Sequence, residues 1–170
     1  MKRFVSAMMF GACLLAASPV LRAQDCGNWI NWDLRGTYTM SGSGFIDLSK
    51  VLPGVGLPSG PIPMFWVGAF TYNGAGGGTG WVSTNAGGGQ MNAQLVGLTY
   101  SMKSDCSVQV AFSMKLTELG ITIGPFHRLM VVVPKPEALE LHMIFVGSGP
   151  GKPPDVGFDL GVAHRISTQY

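Results

Sequence analysis

The chain has 170 residues, a formal charge of +2 from 11 Lys and Arg against 9 Asp and Glu, and a mean hydropathy of +0.29. Both figures depend on the first 23 residues: a basic Met-Lys-Arg start, an apolar run from Phe4 to Ala17, and a small residue at Ala23. Without them the basic count falls from 11 to 8 against 9 acidic, which excludes a cationic surface for nucleic acid or anionic lipid and leaves enough chain for one cored domain.

That opening has the form of a secretory signal peptide over 1–23, its apolar stretch being too short to span a bilayer. A lipoprotein reading at Cys13 is disfavoured because the apolar run continues through Leu14, Leu15, Ala16 and Ala17. The expectation is an exported protein, periplasmic or extracellular, with a single domain over 24–170. Two cysteines then remain, Cys26 and Cys106, and in an oxidising compartment their simplest arrangement is a disulfide. Its closure would restrict the unfolded chain by about 4.5 kcal/mol on the loop-entropy model. The alternatives are two buried free thiols or, less favoured, a metal site, since neither cysteine has a second ligand at metal spacing. Trp29 and Trp32, close behind Cys26, are expected to pack the N-terminal segment over one end of the fold.

From residue 36 onward, runs that alternate apolar and polar residues are separated by Gly and Pro clusters, the period of half-buried strands. They cover 36–46, 64–72, 78–85, 90–102, 106–117, 126–133, 138–146 and 156–166; no helical stripe is evident after the leader. The clearest run sets Val108, Val110, Phe112, Met114 and Leu116 on one face. Leu139, Leu141, Met143 and Phe145 oppose Glu140 and His142, and Phe158, Leu160 and Val162 oppose Asp159 and Arg165. Short connections predict antiparallel neighbours. The glycine cluster in "YNGAGGGTG" reads as a hairpin and not a phosphate cradle, because strand chemistry and no helix follows it. The longer 48–64 connection carries Val51, Leu52, Val55, Leu57 and Ile62, apolar groups that need a surface, so it is expected to lie over a barrel end or an outer wall. A Gly-hydroxyl/aromatic-turn pattern recurs at 36, 68 and 97, as successive hairpins would produce.

Three stretches carry a resemblance: Gly-Thr-Tyr-Thr at 36–39, Phe-Thr-Tyr-Asn-Gly-Ala-Gly-Gly-Gly-Thr-Gly at 70–80, and Tyr-Ser-Met-Lys-Ser-Asp-Cys at 100–106. They resemble the turn motifs of exported bacterial proteins similar to calycin-like or allene-oxide-cyclase-like barrels. The resemblance implies an all-β, eight-stranded antiparallel up-and-down barrel with an apolar interior. It does not imply the cyclase reaction, as no catalytic residue of that enzyme has a match here. The hairpin lacks the acidic residue common in such proteins, and the C-terminal half carries no family signature.

No nucleophile elbow, zinc helix, Cys-x-x-Cys pair or phosphate loop is present, so no catalytic residue, metal or cofactor is assigned. The candidate cavity lining is Tyr38, Phe112, Met114, Leu141, Met143, Phe145, Phe158, Leu160 and His164. His164 continues the Phe158, Leu160 and Val162 face as its polar contact, while Glu140 and His142 belong outside in solvent. His127 could share that end of the barrel; Tyr38, Tyr72 and Tyr100 could meet a ligand or close the core. Three functions follow: a module holding a small apolar ligand or filled by its own side chains, an isomerase or cyclase using His164 and His127, and a small outer-membrane barrel with its apolar faces outward.

Overall fold

The computed structural model describes residues 28–57, 59–134, 139–147 and 157–167. The leader at 1–23, Cys26 and most of the 147–157 connection lie outside the described residues. A 3-10 turn, Asn31–Leu34, precedes eight strands: β1 (Gly36–Ile46), β2 (Ile62–Tyr72), β3 (Gly77–Ala86), β4 (Gly89–Met102), β5 (Ser107–Leu116), β6 (Thr122–Pro134), β7 (Leu139–Gly147) and β8 (Gly157–Ser167). Each strand pairs antiparallel with the next, and β8 returns to β1, closing an up-and-down barrel. Every predicted run corresponds to one strand. A single helical turn, α1 (Leu48–Val51), which the sequence pattern did not suggest, stands in the β1–β2 connection with Asp47 capping its start.

The glycine cluster is a hairpin. Asn73 Oδ1 accepts from the backbone N–H of Ala75 and Gly77, while Gly74 and Gly76 take positive φ angles of 83° and 93° that a side chain resists. Strand pairing resumes at Gly77 or Gly78.

Alternation holds inside the barrel, with register shifts that keep the phase around its circumference, as at Gly97 between Val96 and Thr99. At the end where β1 begins, Tyr38 stacks on Phe70 at 5.1 Å and Tyr72 on Tyr100 at 4.0 Å, with Leu34 buried against them. Their hydroxyls reach out of the apolar mass to defined partners. Tyr38 donates to the Leu34 carbonyl and Tyr100 to that of Asn31, and Tyr72 reaches the Met130 sulfur at 3.6 Å. Asn31 Oδ1 in turn accepts from Met102 N–H, so the 3-10 turn is tied across this mouth. Trp29 packs against the core as expected; Trp32 instead lies exposed, with the Arg35 guanidinium 4.7 Å from its ring centre.

The opposite end is covered by the connection between β1 and β2. Leu52 is buried there, and Val51, Leu57 and Ile62 pack against the core, while Val55 points away. The reading of this segment as a cover over one barrel end is the one the packing supports.

Burial pushes the hydroxyls of Tyr38, Tyr72 and Tyr100 to higher pKa. A raised folded-state value means that the neutral phenol favours the folded chain below the unfolded tyrosine pKa of about 10, a contribution lost as pH rises above it. Alkaline titration followed by tyrosinate absorbance is expected to show these three ionising together with the loss of near-UV circular dichroism. Ionisation near pH 10 in a chain that stays folded would contradict this packing.

Candidate functional site

The barrel's inner wall is organised by one indole. Trp66 on β2 lies in register with Gly42 on β1, which lies in register with Gly161 on β8. A Cβ on either glycine would collide with the Trp66 ring, so the two glycines make the flat seat across which the side chain lies. On Trp66 and Phe112 rests the Arg128 guanidinium of β6, 4.8 Å and 5.8 Å from their ring centres. Arg128 is held by Asp159 of β8 in a two-pronged pair at 2.5 and 2.7 Å. The carboxylate side chain is only 5% exposed and the arginine 14%. A charged pair this far inside a barrel is tolerated because each partner neutralises the other.

This shelf divides the interior. On the tyrosine side remains a void of about 30 Å³ among Phe70, Leu98, Val110 and Met143. On the other side is a chamber of about 70 Å³ between the shelf and the covering loop, walled by Met64, Val82, Met91, Met114, Ile123 and Phe126 and roofed by Val51 and Leu52. Thr84 and the Arg128–Asp159 pair are its polar elements. An open groove of about 670 Å³ runs along the roof and shares Val51, Leu52, Ile123 and Phe126 with the chamber. The neck of the roof is fastened locally: Asp47 Oδ1 accepts from the Ser49 backbone and hydroxyl. The Ser49 hydroxyl, with the Gly60 backbone N–H assisting, lowers the Asp47 carboxyl pKa.

The expected lining is partly reproduced. Tyr38, Phe112, Leu141 and Met143 are buried inside and Met114 is partly buried on the chamber wall, while the side chains of Phe145 and Phe158 lie outside the described residues. Of the members of this set whose side chains are described, Phe112 and Met114 border the chamber; Tyr38 belongs to the aromatic end and Leu141 and Met143 to the packed core.

β8 is inverted relative to its apolar pattern. Leu160 is 51% exposed and His164 56%, both on the outer wall, whereas Asp159 and Ala163 are buried within. The reason is the shelf: beneath the indole there is room for glycine at 161, and Asp159 is required inside by Arg128. Inward-facing Arg165 reaches the Asp33 carbonyl at the barrel mouth.

His127 also points outward, in register with Ala111, and its buried Nε2 has no partner among the described residues. Glu140, expected in solvent, is on the outer wall but buried, with the His142 and His164 nitrogens 2.5 and 3.6 Å from its oxygens. The histidines therefore do not meet at a cavity. Among the described residues no group of three His, Cys, Asp or Glu side chains is placed to hold a metal ion. Cys106 is buried in the β4–β5 turn at φ 66° and is bonded as one half of a disulfide; Cys26 lies outside the described residues.

Sequence reasoning missed Trp66, Arg128 and Asp159. The available signal was phase: Arg128 falls between Phe126 and Met130 on the inward period of β6, and glycines at 42 and 161 interrupt strands where a close approach is the usual cause.

No family model matches the chain, and neither the curated proteins nor the solved structures compared with it yield a match.

Arg128→Met alone, or Asp159→Leu alone, strands a buried charge and is expected to lower unfolding free energy by about 3–5 kcal/mol. The double variant should recover most of that loss in urea denaturation. Additive losses in the double variant would show that the two side chains do not act as a pair.

Proposed function

We propose that this protein is an exported, calycin-like barrel that binds a small apolar ligand in the chamber beneath the 47–61 connection. The observation that carries the reading is a chamber that is apolar on nearly all its walls, retains a few polar groups, and shares Val51, Leu52, Ile123 and Phe126 with a groove along a locally fastened roof. Ligand sites commonly have that composition. At about 70 Å³ the closed chamber takes a few heavy atoms, so a larger ligand would occupy the groove as well or displace Leu52.

The isomerase or cyclase reading loses its acid and base, because His127 and His164 lie on the outer wall. The outer-membrane reading needs an apolar outer band. Exposed Phe65, Val67, Trp81, Val131, Ile144 and Leu160 supply apolar outer surface on β2, β3 and β6 to β8, but the outward positions of β4 and β5 include Asn92, Gln94, Gln109, Ser113 and Lys115, which interrupt a continuous band. Export rests on the leader at 1–23, and a Cys26–Cys106 bond would tie the N-terminal segment beside the mouth at which Asn31 is already fastened.

Protein recovered from the exported fraction of a producing cell should release an apolar molecule on solvent extraction, visible beforehand as a mass increment in native mass spectrometry. Repeated recovery of empty protein that also ignores a hydrophobic dye would reject binding and leave a barrel filled by its own side chains. Peptide mapping without reductant should join residues 26 and 106; two freely alkylated thiols would overturn the pairing.

A further inference from the structure

The polar groups around the chamber are unequal in kind. Trp66, 4% exposed and shared by the walls of the chamber and of the smaller void, carries a buried Nε1–H with no acceptor among the described residues. Leaving such a donor buried and unpaired costs about 1–3 kcal/mol. Arg128 spends two N–H groups on Asp159 and, as a guanidinium, has others to give. The carboxylate in the described lining, that of Asp159, is already engaged by Arg128. The described lining thus offers more donors than acceptors, the Thr84 hydroxyl being able to act as either.

Charge narrows the choice further. Arg128 and Asp159 cancel, so a ligand carboxylate would introduce an uncompensated negative charge into an apolar enclosure. A neutral oxygen acceptor satisfies a donor without that penalty. Resting on the binding reading above, we propose that the chamber recognises small apolar molecules bearing a neutral carbonyl oxygen, such as ketones, esters or lactones. Their oxygen accepts from Trp66 Nε1–H, with Arg128 as the neighbouring donor, and their hydrocarbon lies under Val51 and Leu52 toward the groove.

The test compares hexane, methyl butyl ketone and hexanoate at neutral pH on the intact protein. Binding is followed by calorimetry and by the indole N–H resonances of ¹⁵N-labelled protein. The ketone is expected to bind about three- to tenfold more tightly than hexane, the yield of one hydrogen bond, and hexanoate more weakly than the ketone. One indole resonance, absent from the spectrum of Trp66→Phe, should shift downfield with the ketone and not with hexane. Trp66→Phe should bring ketone affinity down to that of hexane; should this variant not fold, the resonance shift and the affinity order in the parent protein decide alone. Equal binding of hexane and ketone would overturn the carbonyl assignment while leaving an apolar site. Tighter binding of hexanoate would overturn it in favour of an anion site. No binding of any of the three would overturn this assignment, and recovery of a different co-purifying apolar molecule would then separate its failure from that of the binding reading.

Discussion

The placement of Trp66 is the constraint from which the rest of the interior follows. An indole can lie flat across three strands only if the two neighbours in its row have no side chain, and here they are Gly42 and Gly161. Its upper face then offers a π surface to a cation, and Arg128 occupies it. A buried guanidinium demands a carboxylate, and β8 supplies Asp159 two residues from the glycine that made room for the ring. One aromatic side chain therefore dictates residue choice on β1, β6 and β8, and it separates a half of the barrel with a void of about 30 Å³ from a half with a chamber of about 70 Å³.

The two mouths of the barrel are closed by different physics. At one, backbone carbonyls of the 3-10 turn meet tyrosine hydroxyls, so closure is polar, directional and fixed in register. At the other, Leu52 and its neighbours close the opening by apolar contact, and the polar bonds of Asp47 are internal to the loop. Apolar contact is non-directional, so the second cover can shift without stranding hydrogen-bonding groups. The chamber lies beneath the cover that tolerates movement.

How much of this was legible in the sequence differs between backbone and interior. The eight strands were readable because period-two alternation and Gly- or Asn-rich turns are local signals, and each run found its strand with ends differing by a few residues at most. The wall of β5 was readable because Val108, Val110 and Phe112 face a plain apolar neighbourhood. β8 was misread because hydrophobicity was taken as the sign of the inside. With Phe158, Leu160, Val162 and Ile166 in one phase, the apolar series was the stronger pattern, yet the barrel needed the other. That choice depends on partners distant in sequence, Trp66 and Arg128, which no window along β8 contains. The same non-locality hid the site: a charge pair is visible only once the strands that carry its halves face one another.

Closure of the sheet brings Thr37 opposite Ser167, so the seam between β8 and β1 is an antiparallel pairing like the other seven. Topologically, the barrel has no first strand. A chain rejoined by a short linker across that seam and cut instead at an exposed hairpin, such as Gly87–Gly88, would present the same ring of neighbours in the same register. Cutting between β1 and β2 would be different, because that crossing is also the roof of the chamber. That connection both reverses the chain and walls the chamber with Val51 and Leu52.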